Sequence, residues 1–254
     1  MSTRKIMAIG GGQVYVPCKP PETLAIDREI VSLGASQVHP RRQGKLKVLF
    51  IPTASGDDLG YCHSLYNIYE VRLGCDFDCL RILAEKLSDK QIREKILTAD
   101  IVYVGGGNTL KMMRAWRRRG VDRLLVEASE QGKVMAGLSA GAICWFDWGP
   151  SDSRRFSNPK DWKPIKVRGL GLLKMAFCPH YDSEGEWRKP AFKQMLAGSP
   201  LLGFACEDDA AVEIVGDQYR LIRSQLGNAY LSGGNACTLL LSGDWQRLPR
   251  GAIL

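Results

Sequence analysis

The chain has 254 residues, of which 45% are hydrophobic and 24% charged. That is a globular composition, long enough for a sizeable core and unlike a disordered tail, and no stretch approaches the ~20 apolar residues of a membrane span. The formal charge is +8, and the only histidines are His39, His63 and His180. A multi-histidine metal centre would need nearly every one of them, and no metal or cofactor is expected.

Lys5–Gly10 reads as a strand that ends in Gly10-Gly11-Gly12, after a basic start whose apolar run is too short for a secretory segment. Glu22–Leu33 has helical spacing. Leu46–Ala54 is an apolar strand bounded by Gly44 and by Ser55-Gly56-Asp57, and a helix follows near Leu59–Leu73. A strand near Asp78–Leu83 precedes a helix capped by Ser88. Ile101–Val104 is a strand that runs into Gly105-Gly106-Gly107-Asn108-Thr109. Helices near Leu110–Arg118 and Val121–Glu130 lead to a strand over Val134–Leu138. Asp147 to about Gly171 is polar, basic and interrupted by Pro150, Pro159 and Pro164, and reads as a long functional loop. Beyond it come a strand (Leu172–Cys178), a helix (Trp187–Leu196) and a strand (Leu201–Cys206). The last predicted element is a hairpin of Val212–Val215 and Tyr219–Ile222.

Strand–helix alternation of this kind implies βαβ units and a mostly parallel sheet flanked by helices, a three-layer α/β arrangement with a C-terminal antiparallel hairpin. With neither repeat nor low-complexity linker, residues 1–254 are expected to form one domain. Eight cysteines, most of them in apolar runs and none in a C-x-x-C pair, point to buried reduced thiols in a cytoplasmic protein.

The sharpest chemical signal is Gly137-Leu138-Ser139-Ala140-Gly141. It follows an apolar strand and precedes a run that can open a helix, the setting in which G-x-S-x-G forms a nucleophile elbow. A tight strand-to-helix turn lifts the serine hydroxyl clear of the sheet, and the Ala140 N–H then points to where an oxyanion forms. Of the three histidines, His180 closes a predicted strand, as Ser139 does, and sites gather at such carboxyl ends. It is the expected general base.

A third group should orient the imidazole. Asp147, Asp152, Asp182, Glu184, Glu207 and Asp208 all qualify, and the chain order Ser–acid–His selects Asp147 or Asp152. The Gly105–Gly107 turn exposes backbone N–H groups after a strand, so Gly107 is a candidate second oxyanion donor and Asn108 a helix cap. The turn has neither a dinucleotide spacing nor the Lys-Ser/Thr of a phosphate-binding loop.

GGGNT after a strand, then GLSAGA, then Pro-His at a strand end together resemble the dipeptidase E family of serine peptidases, relatives of the cyanophycinases. The likeness runs over roughly Lys5 to Asp209. It implies a fold similar to the class I glutamine amidotransferases and hydrolysis of short peptides, above all dipeptides with an N-terminal Asp, through an acyl-enzyme. Carried over by position, it implies Ser139 as nucleophile, His180 as base, Asp152 as acid, and Gly107 and Ala140 as oxyanion donors. Asn108 and Arg188 become candidate substrate-binding residues, Arg188 for a substrate carboxylate. One departure is the acidic run Tyr181–Glu186, where cyanophycinase-like chains carry arginines. It speaks against cyanophycin as substrate.

The rival readings are a non-catalytic small-molecule or peptide binder of the same fold, or a different serine hydrolase or amidase. An α/β-hydrolase esterase is disfavoured because no histidine follows His180. Six basic residues against two acidic ones between Ser151 and Leu170 supply half of the net charge, a positive rim for small anionic peptides. No nucleic-acid motif accompanies the basic run Arg114–Arg119, so no nucleic-acid or membrane partner is expected. A monomer or small homo-oligomer is the expected state.

Overall fold

The apolar runs KIMAI, KVLFI, IVYV and VMAGL lack a polar alternation. They therefore need cover on both faces, as central strands of a parallel sheet do. The computed structural model describes residues 3–15, 19–36, 44–182, 187–224, 227–233, 236–240 and 243–252. In it these runs are β1 (Lys5–Ile9), β2 (Lys47–Ile51), β4 (Ile101–Val104) and β5 (Val134–Leu138). They stand side by side in the order β1-β5-β4-β2, and β3 (Asp76–Cys79) adds a parallel edge strand.

On the other side of β1 lies the predicted hairpin, β10 (Ala210–Val215) and β11 (Gln218–Arg223). β10 pairs antiparallel with β1, and β14 (Gln246–Arg247) completes an eight-stranded sheet.

Alternate side chains of each strand serve opposite faces. Met7 and Ile9 pack with Ile26, Ile30 and Leu33 of α1 (Leu24–Ala35) and with Leu65 of α2 (Leu59–Tyr66). Ile6 and Ala8 point the other way, into a core shared with α3 (Asp89–Thr98), α4 (Thr109–Arg119) and α5 (Val121–Glu130). Each fully buried Ile or Phe here contributes roughly 1.5–3 kcal/mol. Ser88 caps α3 as expected, in a reciprocal pair with Gln91. Asp27 of α1 is wholly buried and accepts hydrogen bonds from the Thr23 and Tyr69 hydroxyls, both at 2.8 Å. Burial pushes its carboxyl up to about 6, and the two hydrogen bonds offset part of that rise.

A second, six-stranded sheet lies against the same core. Its order is β13-β12-β9-β8-β6-β7, with β6 (Phe146–Ser151), β7 (Ile165–Arg168), β8 (Leu173–Cys178), β9 (Gly203–Cys206), β12 (Ala229–Gly233) and β13 (Ala236–Leu239). β6, β8 and β9 run parallel. α7 (Arg188–Ala197) covers its outer face through Phe192 and Leu196.

Two of these strands replace part of the expected 147–171 loop. β6 and β7 pair antiparallel, from Trp148 against Arg168 to Ser151 against Ile165. Pro150 and Gly149 hide β6 from a propensity reading, because neither suits a regular strand. Gly149 is required there, since a side chain would overlap the Phe177 carbonyl. β7 is four residues long with two exposed cations, too short for its alternation to register. The residual loop is 152–164. Among the described residues, no helix is long and apolar enough to cross a membrane.

Candidate active site

The register of the large sheet brings three strand ends together. Ile9 pairs with Leu138, and Val104 pairs with Gly137. The chain therefore leaves β1, β5 and β4 at one place, through Gly10–Gly12, Ser139 and Gly105–Gly107. These residues open on one cleft of about 470 Å³, whose walls include Gly12, Gly106, Gly107, Ser139, Asp152, His180 and Arg188.

Ser139 has φ 54° and ψ −111°, a conformation that costs an L-residue on the order of 1–3 kcal/mol. Its N–H donates to Ile9 O at 3.0 Å, and its carbonyl accepts from Ala142 and Ile143 at 2.9 and 3.0 Å. The flanking glycines are what allow the turn. A Cβ on Gly137 would overlap the Gly141 carbonyl, and one on Gly141 would overlap the Val104 carbonyl. α6 (Ala140–Ile143) starts directly after the serine. As its first residue, Ala140 has an N–H with no intrahelical acceptor. The Gly107 backbone borders the same cleft as Ser139, where a donor to an oxyanion is needed.

His180 arrives from the second sheet. Cys178 of β8 pairs with Ala205 of β9, so the segments after the two strands leave side by side. One carries Pro179-His180 and the other Glu207-Asp208. His180 Nδ1 lies 2.6 Å from Asp208 Oδ1, and the imidazole is only 15% exposed. His180 itself has φ 49°, and its N–H donates to Gly10 O at 3.3 Å. Asp209 N–H donates to Gly11 O at 3.1 Å, and Gly11 bridges to Asp208. The end of β1 is thus the hub to which serine, histidine and aspartate are all tied. A Cβ on Gly11 would overlap both Asp208 Oδ1 and the His180 ring. Next door, burial pushes the Asp209 carboxyl up to about 6, with the Glu22 and Asp208 charges adding to the rise.

The other acid candidates are placed as follows. Asp152 lines the cleft beside Ser139 and His180, while the imidazole's partner among the described residues is Asp208. Asp147 lies 3.9 Å from Lys174, and Asp182 lies 2.9 Å from Lys189. Glu207 accepts from the Asn228 N–H and the Tyr230 hydroxyl. Glu184 lies outside the described residues, as does His39. His63 is exposed on α2 and stacks on Tyr66.

Asn108 caps α4 by accepting from Lys111 N–H at 2.9 Å, and it donates to Ser153 O at 3.1 Å. Its side chain thereby ties the Gly105–Gly107 turn to the segment after β6. Arg188, on α7, is 3% exposed, with its guanidinium 4.4 Å from the centre of the Trp187 ring. Trp187 in turn meets Trp162 of the 152–164 loop edge-on. Two features of this geometry are not singled out by the sequence: Gly10-Gly11 is visible there only as a strand end, and Asp208 is one acid among six. The signal that would have found Asp208 is its place just after an apolar strand, the same place that singles out His180.

Comparison with known proteins identifies the family of the chain. The profile of Peptidase family S51 matches residues 35–222. The uncharacterized peptidase YgaJ of Bacillus subtilis is 35% identical over 226 residues, covering 88% of this chain and 89% of the relative. Peptidase E of Shewanella denitrificans is 27% identical over 223 residues, 85% of this chain and 86% of the relative. The crystal structure of a peptidase from an acI-B1 Actinobacterium superposes with a TM-score of 0.73 over 96% of this chain and 97% of that one, at 18% identity. On sequence and fold together, the chain is a serine-type peptidase and belongs to peptidase family S51.

Proposed function

We propose that the chain hydrolyses short peptides with an N-terminal Asp, using Ser139 as nucleophile, His180 as general base and Asp208 as the acid that orients it. The observation that carries this reading is the 2.6 Å His180–Asp208 pair, set in the same cleft as the strained Ser139. With Nδ1–H donated to Asp208, the imidazole presents its other nitrogen as an acceptor. It takes the Ser139 proton as Oγ attacks the scissile carbonyl, and the backbone N–H groups of Gly107 and Ala140 hold the oxyanion. The proton then passes to the leaving amine, and water hydrolyses the acyl-enzyme with His180 again as base.

Asp208 takes the place that the family resemblance implies for Asp152. Asp152 and Arg188 line the cleft with opposite charges. An N-terminal Asp residue presents the matching pair, an α-ammonium and a side-chain carboxylate. A guanidinium that is 3% exposed is poorly solvated, so a carboxylate placed against it gains more than it would in water. The 152–164 loop contributes Phe156 to the cleft wall.

A library of dipeptides with Asp, isoaspartyl and neutral first residues tests this. The expected result is Ser139-dependent turnover with Asp-X preferred by at least about tenfold, a preference that Arg188→Ala removes. Equal turnover of neutral and Asp-X peptides would remove the acidic specificity.

A further inference from the structure

The catalytic cleft does not end at its own walls. Val14, Tyr15 and Ser64 are shared with a second chamber of about 620 Å³, larger than the cleft itself. Much of the far side is a π-helical turn, Asn67–Arg72, that prolongs α2. Such turns are rare and often mark functional sites. The chamber is apolar and basic together. Tyr15 and Val71 stand 65% and 63% exposed, Lys19 and Arg72 face it as exposed cations, and no Asp or Glu is among its lining residues. Among the described residues, neither Lys19 nor Arg72 makes an ion pair.

His180 decides which half of a substrate enters. The imidazole hands its proton to the leaving amine, so the leaving half lies on the imidazole's side of the cleft. The Gly11 backbone abuts that ring, and from there Gly12–Tyr15 runs along the cleft wall to the chamber. We propose that the chamber takes the leaving, C-terminal half of a peptide and that Lys19 and Arg72 bind its α-carboxylate. The proposal rests on the peptidase reading of Ser139 and His180. It extends the reading to peptides longer than dipeptides, with an apolar residue after the scissile bond and a free C-terminus.

The test is kcat/KM on peptides with one acyl residue and leaving halves of one, two or three residues, each with a free and an amidated C-terminus. For two or three residues, a free carboxylate is expected to raise kcat/KM about tenfold over the amide, through KM. In the double variant Lys19→Ala/Arg72→Ala that ratio falls to about one. Reading the ratio within each protein cancels any general loss from the substitutions. A ratio of one in the unaltered protein, or a ratio that survives the double substitution, overturns the proposal. If Ser139→Ala cleaves the peptides as fast as the parent, the peptidase reading falls and the chamber assignment with it. Ser139-dependent cleavage that ignores the carboxylate removes the chamber assignment alone.

Discussion

Asp208→Asn separates the two candidate acids most sharply. The imidazolium that forms in the transition state lies against the Asp208 carboxylate, with Nδ1 and Oδ1 2.6 Å apart. Two unit charges about 4 Å apart at an effective dielectric near 20 attract by roughly 4 kcal/mol. The carboxylate is 38% exposed, and solvent screening reduces this to about 3 kcal/mol. That alone is on the order of 100-fold in kcat. The amide adds a second loss. Its NH2 group can donate to Nδ1 and hold the imidazole in the tautomer that cannot accept the Ser139 proton, which extends the range to roughly 10⁴-fold. The same change at Asp152 acts through substrate binding and is expected to raise KM while leaving kcat within about tenfold. The assay is steady-state hydrolysis of an Asp-X peptide near neutral pH by the parent and the two variants. The reasoning is refuted if Asp208→Asn keeps more than about a third of the parental kcat while Asp152→Asn loses about 100-fold.

Gly11→Ala places a methyl group where the His180 ring and Asp208 Oδ1 already are. A displacement of about 1 Å at such a pair costs about 100-fold in rate, so kcat should fall by at least that much; near-parental turnover would show that the pair is not the working base. Asp27 gives a pH signature in stability rather than activity. Its carboxyl is raised to about 6 in the folded chain, above its unfolded value, so the folded state holds the proton that the unfolded chain releases. That contribution is complete below about pH 4 and is lost as pH rises through 6, a cost of about 3 kcal/mol. Denaturant titrations at pH 5 and pH 8 should show this slope shrinking in Asp27→Asn, and an unchanged slope would place the titration elsewhere.

The parts of this site that can be read from the chain are local in origin. Gly137–Gly141 declares a turn because an apolar strand precedes it, and overlap at Gly137 and Gly141 forbids anything larger. His180 is legible as a strand end. Its partnership with Asp208 is not local, for it depends on the register of β8 against β9, and the two residues are 28 positions apart. Chain order therefore favours Asp147 or Asp152 over Asp208. β6 is obscured for a different reason. Burial between α7 and the main core makes a strand of a segment whose Gly149 and Pro150 argue against one, and tertiary packing overrides propensity there. The hub at Gly10-Gly11 is silent in sequence because a glycine's role in close approach appears only when its neighbours are in place.

Ser139 as the nucleophile is the centre of all this, and covalent labelling tests it directly. A fluorophosphonate, followed by mass spectrometry of the intact and digested protein, should give one adduct per chain on the peptide that contains Ser139. The adduct should be absent in Ser139→Ala and strongly slowed in His180→Ala. An adduct on another residue, or peptide hydrolysis that persists in Ser139→Ala, would contradict the mechanism.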